Sequence, residues 1–503
     1  MFNRARNLAA ALTNSTWTAL VGLAVVPIYL KLLGVEAYGL IGVFSTLQAL
    51  LQVLDLGFSP TINREIARSS TLGDNSQVKV LLHTLAVVTA VVAVLIAVLM
   101  FALAPAIATG WLKGSRLEAK SLSHSIILMG MVLACRWPIG LFQGALVGMQ
   151  RLGTSSKINI VMVTLGSLGA VAVLAFVSAT IEAFFVWQAL VALLHVGLMR
   201  AAAWRALGGR GSASFDLTSL VQVWRFSLLM SGVTISALVL SQLDKILLSK
   251  LLPLEDFGIY VLATTVVGSL YVIVSPVFNV IYPLFSSLVA QGDVTQLAEA
   301  YRNGTRALAN VLFPVAAILV IVPLSLVKLW TGDPAIAARV SPLIAMMAVG
   351  TALHGIMYFP YSLQLSYGMP RLALTINIFL MLILVPLTYQ LTTRLGVFGG
   401  ALAWLLFHVI YLLFGTWLTG RHLLRHITSR WMIMDVGAPL AITALVGALG
   451  YLAIQRLGGT SDVGRIALAG LTALAAFTAT ALLAPVSLPW IRTTFFARTG
   501  AST

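Results

Sequence analysis

Apolar runs long enough to cross a bilayer recur along the whole chain, and they limit its fold more than any other feature. A spanning helix needs about 20 mostly apolar residues, because every backbone N–H and C=O must find its partner within the segment. Fourteen such runs stand out, near residues 9–33, 38–59, 80–104, 124–149, 158–177, 183–203, 226–251, 257–282, 307–330, 340–366, 372–393, 396–419, 432–455 and 464–486. Little remains outside them: of 503 residues, 59% are hydrophobic and 9% charged, whereas soluble domains carry about 25% charged residues. The chain cannot coat several soluble cores with polar surface, so an all-α polytopic membrane protein is expected. The first run is too long, and too closely followed by others, to be a cleaved leader.

The few charges are lopsided, with 31 Lys and Arg against 15 Asp and Glu and a formal net of +16. A basic balance can signal nucleic acid. Here the cations are scattered between apolar runs, and no nucleic-acid partner is expected. Cytoplasmic loops carry the excess of Lys and Arg. With both termini cytoplasmic, inner loops and run ends hold 19 of the 31 cations and outer ones 10; only Arg136 and Lys245 lie in runs away from their ends. The single cysteine, Cys135, excludes an internal disulfide.

The sequence also repeats itself. At an offset of 219 residues, Lys31-Leu32-Leu33-Gly34-Val35-Glu36-Ala37-Tyr38-Gly39 falls on Lys250-Leu251-Leu252-Pro253-Leu254-Glu255-Asp256-Phe257-Gly258, and Gly73-Asp74 on Gly292-Asp293. A second block pairs Gly148-Met149-Gln150-Arg151-Leu152 with Gly368-Met369-Pro370-Arg371-Leu372. Six runs per copy make the repeats parallel, an architecture that places a site near the midplane between two lobes. The expected organisation is an N-lobe over 1–207 (runs 1 to 6), a Gly-rich inter-lobe linker over 208–223, a C-lobe over 224–420 (runs 7 to 12), and runs 13 and 14 with a tail over 421–503.

Lys31-Leu32-Leu33 to Tyr38-Gly39, then Asp55-Leu56-Gly57-Phe58 and Arg64-Glu65-Ile66-Ala67, resemble the opening of the polysaccharide and O-antigen flippases. Their superfamily also holds multidrug antiporters of the toxin-extrusion type and the lipid II flippase. The resemblance is strongest over about the first 70 residues, and the two-lobe repeat extends it across most of the chain. It implies a bacterial inner-membrane transporter that moves undecaprenyl-diphosphate-linked oligosaccharide to the periplasmic leaflet. Membrane lipids, a polymerase and a chain-length regulator would be its partners. It also implies twelve helices more commonly than fourteen, the lipid II relatives having fourteen.

Arg136 is the sharpest single residue. It lies twelve residues from His124 and thirteen from Met149, about 18 Å from the outer end at 1.5 Å per residue. An arginine there costs at least about 2.5–3.5 kcal/mol against lipid, so it should face a cavity or a partner. A diphosphate suits its planar fork; a carboxylate such as Asp55 is the bland alternative. Asp244 and Lys245 sit about two turns inside the outer end of run 7 and point about 100° apart, so at most one faces a cavity squarely. Lys245 is a second candidate cation or a snorkelling one, and Asp244 a candidate proton or sodium site. Asp55, disfavoured at a helix C-terminus, would latch onto Arg64 or Arg6 and break as the lobes rock. Arg6 and Arg225, equivalent in the repeat, would attract a diphosphate at the cytoplasmic mouth, although positive-inside bias alone also places them there. His83, His195, His354 and His408 lie in or near runs, where histidines can mark proton paths, with interhelical hydrogen bonding the simpler reading; Trp137, Trp187, Tyr358 and Tyr361 have rings able to stack on sugars, with interface anchoring or core packing the simpler reading.

No Gly-x-x-x-x-Gly-Lys-Ser/Thr loop is present, and no metal-ligand spacing. No enzymatic activity and no cofactor are expected; the driving force is either a proton or sodium gradient or the consumption of product on the far side. The rivals are a multidrug or cation antiporter of the same fold and a membrane-embedded polymerase or glycosyltransferase.

Overall fold

The computed structural model describes residues 2–53, 58–72, 76–112, 117–209, 211, 213–424, 427–457 and 461–486; of residues 2–12, 52, 53, 67, 70–72 and 219–235 it describes the backbone alone. All regular structure among them is helical. Contacts divide the chain into two compact units, Met1–Gly258 and Ile259–Thr503.

The first unit contains α1 (Phe2–Val53), α2 (Phe58–Leu72), α3 (Ser76–Ala106), α4 (Ala119–Arg136), α5 (Ile139–Gly148), α6 (Leu152–Phe176), α7 (Ile181–Ala206), α8 (Leu217–Leu251) and the start of α9 (Leu254–Gly268). Straight, the 52 residues of α1 would extend about 78 Å, more than twice the roughly 30 Å of hydrocarbon. Gly34 resolves this with φ 83° and ψ 170°, a left-handed value that a side chain would strain. It divides α1 into two halves inside the repeated motif.

Between the second half of α1 and α3 lies α2, where runs 2 and 3 predicted only a loop. Its residues Phe58, Ile62 and Ile66 are buried and follow the i, i+4, i+8 face of an amphipathic helix, whereas Arg64 and Arg68 are exposed. The apolar face packs on Leu82 and Leu85 of α3, Leu141, Phe142 and Leu146 of α5, and Met199 of α7. Glycine makes the closest approach between the repeated motifs. A Cβ on Gly39 would lie 2.5 Å from the Leu254 carbonyl oxygen, and one on Gly258 would run into the Val35 carbonyl oxygen. Gly39 and Gly258, which the 219-residue register superposes, thus lie against each other.

The second unit holds the rest of α9, then α10 (Tyr271–Gln291), α11 (Val294–Ile321), α12 (Pro323–Thr331), α13 (Pro334–Ile356), α14 (Tyr358–Ser366), α15 (Pro370–Ile410), α16 (Thr416–His422), the single turn α17 (Thr428–Arg430), α18 (Ala438–Arg456) and α19 (Asp462–Leu483). Wider turns at Tyr411–Gly415 and Trp431–Gly437 join their neighbours without a break. Its core gathers Phe285, Leu312, Phe313, Ile356, Phe359 and Trp431.

Run 257–282 is broken between α9 and α10 at Ser269 and Leu270, just after Gly268. Among the described residues, eleven helical segments are long and apolar enough to cross a membrane. Two of the eleven, Thr13–Leu51 and Pro370–His422, have 39 and 53 residues and are bent at Gly34 and Gly396.

The segments outside the repeat are tied to α11 and α12 by polar clasps. Asp435 is fully buried and takes Arg302 Nε at 2.8 Å and Arg306 Nε on its other oxygen. These two arginines, four residues apart on one face of α11, were expected in loops. They sit about two and three turns into α11, each side chain with about a fifth of its surface exposed. Trp431 Nε1 donates to Thr305 Oγ1 at 2.9 Å, and Asn310 Nδ2 to the Ala484 carbonyl at 3.3 Å. A second ion pair joins Lys328 of α12 to Asp462 of α19 at 2.8 Å.

Candidate functional site

The segment carrying Arg136 is interrupted beside it. Proline lacks an N–H and clashes with the preceding turn, so α4 stops at Arg136, Trp137 and Pro138 turn, and α5 starts at Ile139. Arg136 therefore occupies a helix C-terminus within the membrane segment, where the dipole and unpaired carbonyls favour a cation. Counted along Ala119–Gly148, it is about 26 Å from one end and about 18 Å from the other at 1.5 Å per residue. A side chain of that length cannot reach either interface.

Three helices converge on the guanidinium. Nη1 donates to Gln48 Oε1 of α1 at 2.5 Å, and Nη2 to Gln188 Oε1 of α7 at 2.8 Å. The Phe44 ring of α1 lies 5.3 Å from Cζ, within cation–π range. Gln188 is buried, and its Nε2 donates to the Gly166 carbonyl of α6 at 3.2 Å. That bond fixes the amide with its oxygen toward Arg136. The frame is held by Trp17 Nε1 on Thr164 Oγ1 at 2.8 Å, Tyr29 OH on the Ser167 carbonyl at 3.0 Å, and His195 with Asn159 at 3.0 Å.

Both hydrogen-bond partners of Arg136 are neutral. Amide oxygens satisfy two of five N–H donors and cancel none of the charge. Among the described residues, no carboxylate lies within ion-pair distance and the remaining three donors have no protein acceptor. Trp137 Nε1, next in the chain, is also buried without an acceptor among the described residues. Arg136 is half-buried, and a charge left unpaired there stays costly until water or an anion meets it.

The other expected residues do not join this cluster. Lys245 Nζ reaches Gln242 Oε1 at 3.4 Å, and Lys245 is half-buried whereas Asp244 is buried. Arg64 bonds its neighbour Glu65 at 2.7 Å on an exposed surface of α2. Asp55 and the side chains of Arg6 and Arg225 lie outside the described residues, and with them the latch and the paired mouth. Gln48, Gln188 and Phe44 were missed. Their signal was present in the sequence, as two amides inside otherwise apolar runs.

In the second unit, Tyr271 OH meets His354 Nδ1 at 2.6 Å, and the His354 and His408 rings are 4.8 Å apart. His408 Nδ1 donates to the Trp404 carbonyl at 2.8 Å. Among the described residues no cluster of His, Cys, Asp and Glu is arranged to hold a metal ion.

Comparison with solved structures defines the fold. The lipid II flippase MurJ, in an inward closed conformation, is similar at 11% identity over 95% of this chain and 98% of its own, with a TM-score of 0.67. An inward-facing multidrug-resistance MATE transporter of the MOP superfamily is similar at 15% identity over 80% and 95%, with a TM-score of 0.63. A MOP-superfamily transporter from Pyrococcus furiosus, for which reverse polarity of the binding pocket suggests a different function, is similar at 14% identity over 83% and 95%, with a TM-score of 0.56. The chain is thus a multi-pass membrane protein that shares the fold of these MOP-superfamily transporters. Its sequence matches no curated protein. Residues 5–289 match the family model described as polysaccharide biosynthesis protein, more than half of the chain, and the protein belongs to that family.

Proposed function

We propose that the protein is a secondary transporter moving an undecaprenyl-diphosphate-linked oligosaccharide from the cytoplasmic to the periplasmic leaflet of a bacterial inner membrane. The glycan would feed O-antigen, capsule or exopolysaccharide assembly, with a polymerase and a chain-length regulator downstream. The observation that carries this reading is Arg136: a guanidinium in a membrane segment, oriented by two neutral amides, with three donors open among the described residues. A diphosphate supplies the oxygens and the opposite charge that the protein withholds. The family and the flippase likeness of the fold support the same substrate class. An organic cation would be repelled by Arg136, which disfavours the multidrug reading.

Both termini are cytoplasmic in this reading, as the loop charges require. Alternating access of the two lobes is driven by a proton or sodium gradient, with Asp244 as the candidate ion site and no cofactor. Lys245, Arg6 and Arg225 assist the anion, and Asp55 with Arg64 gates its entry. The test is leaflet accessibility of a fluorescent undecaprenyl-diphosphate-linked oligosaccharide in reconstituted vesicles. Arg136→Ala should slow flipping at least about tenfold, and Arg136→Lys should fall between, because lysine keeps the charge and lacks the fork. Equal rates in wild type and Arg136→Ala would remove Arg136 from the mechanism.

A further inference from the structure

One exposed stripe of α10 is chemically unlike the exposed side of a lipid-facing helix, although Val272 and Val280 beside it are apolar and exposed. On α19, in the same unit, the exposed residues include Val463, Leu471, Leu474, Phe477, Leu482 and Leu483; exposed Thr478 turns its hydroxyl onto the Leu474 carbonyl. On α10, Ser275, Asn279 and Tyr282 are exposed. With half-buried Ser286 they follow the i, i+4, i+7, i+11 face of one helix. Polar groups without internal partners do not face hydrocarbon. The Asn279 amide and the hydroxyls of Ser275 and Tyr282 have no hydrogen-bond partner among the described residues, so this face of α10 meets water or a ligand.

Beside the polar stripe stands an ordered group of rings. Phe278 lies nearly parallel to Tyr282, at 5.9 Å between centroids and 5°, and to Tyr361 of α14, at 6.1 Å and 19°. Tyr358 meets Phe278 edge-on at 5.4 Å and 79°. The Tyr358 and Tyr361 hydroxyls also have no partner among the described residues. Neither α10 nor α14 contains a charged residue. The surface thus combines near-parallel aromatic faces, unengaged neutral donors and acceptors, and no charge.

We infer that this face of α10 and α14 is a binding surface for the hexose rings of a neutral glycan. One face of a pyranose is apolar C–H surface and its rim is a ring of hydroxyls. The first matches Phe278, Tyr282 and Tyr361; the second matches Ser275, Asn279 and the tyrosine hydroxyls. Such a combination of aromatic walls with a few placed polar groups is how binding sites fix orientation. A phosphate finds no cation here, and a simple lipid chain leaves the polar stripe unsatisfied. The inference rests on the proposed transport of a glycan and assigns the sugar to α10 and α14, separately from the diphosphate at Arg136.

The test uses the full chain in lipid nanodiscs, free of glycosidic detergent. Saturation-transfer NMR is recorded with the methyl glycosides of glucose, galactose, rhamnose and N-acetylglucosamine. At least one glycoside should receive saturation from wild type, reduced fivefold or more in Phe278→Leu and in Tyr361→Leu. Asn279→Leu, exposed and unable to disturb packing, should reduce it as well, which keeps the test decisive if an aromatic variant fails to fold. No transfer to any of the four, or equal transfer in wild type and Asn279→Leu, overturns the inference. The readout needs no lipid carrier and no membrane crossing, so failed flipping leaves it intact. Arg136-dependent flipping without glycoside binding sinks this inference alone.

Discussion

Replacing Asp435 by alanine should be among the most destabilising single changes in the second unit. The carboxylate is fully buried and binds both Arg302 and Arg306; without it, two guanidinium groups remain in a site built for one shared anion. Breaking a buried ion pair from one side costs about 3–5 kcal/mol. The arginine side chains keep 22% and 20% exposure, which lets water recover part of their hydration and puts the expected loss near about 3 kcal/mol. At roughly 2–4 °C per kcal/mol for a unit of this size, the midpoint falls by about 6–12 °C. Heating purified protein in nanodiscs and following the monodisperse fraction by size exclusion measures that shift. Combining Asp435→Leu with Arg302→Leu and Arg306→Met should recover most of the loss, because desolvation of the charges disappears with them. A melting midpoint for Asp435→Ala within 2 °C of wild type would refute the reasoning, as would a triple variant no better than the single one.

Three smaller predictions follow from the same geometry. Lys328→Ala removes the exposed ion pair to Asp462; solvent screens such a pair, so the melting midpoint should move little and the shift should vanish in high salt. Gly39→Val drives a side chain toward the Leu254 carbonyl oxygen, 2.5 Å from the first added carbon. Overpacking of this kind costs about 1–3 kcal/mol, visible as a lowered melting midpoint, with Gly258→Val behaving alike. Gln188→Leu deletes one of the two hydrogen-bonded acceptors of Arg136; flipping should slow through loss of orientation while Gln188→Glu, which neutralises the cation, should slow it further.

The sequence by itself determined the class of this protein. Apolar runs of spanning length can only be membrane helices, since hydrocarbon offers backbone groups no other partner. The 219-residue register was equally legible, because turn glycines and a Lys-Leu-Leu-x-x-Glu motif stand out against apolar background. So was Arg136, since a mid-segment guanidinium is too costly to be incidental. Single residues of unusual cost in their local setting can be read without neighbours.

What the sequence left open depended on neighbours distant in the chain. Gln48 and Gln188 become partners of Arg136 only when α1 and α7 close on α4, across 88 and 52 residues. That these two amides meet Arg136 was therefore undetermined by pattern alone. Arg302 and Arg306 looked like loop cations because positive charges near run ends usually are; a carboxylate more than 125 residues later in the chain drew them onto α11. The aromatic face of α10 was hidden for the same reason. Tyrosine in an apolar run serves packing, interface or ligand alike, and only the tertiary structure exposes the Ser275–Asn279–Tyr282 face and aligns Phe278 with Tyr361.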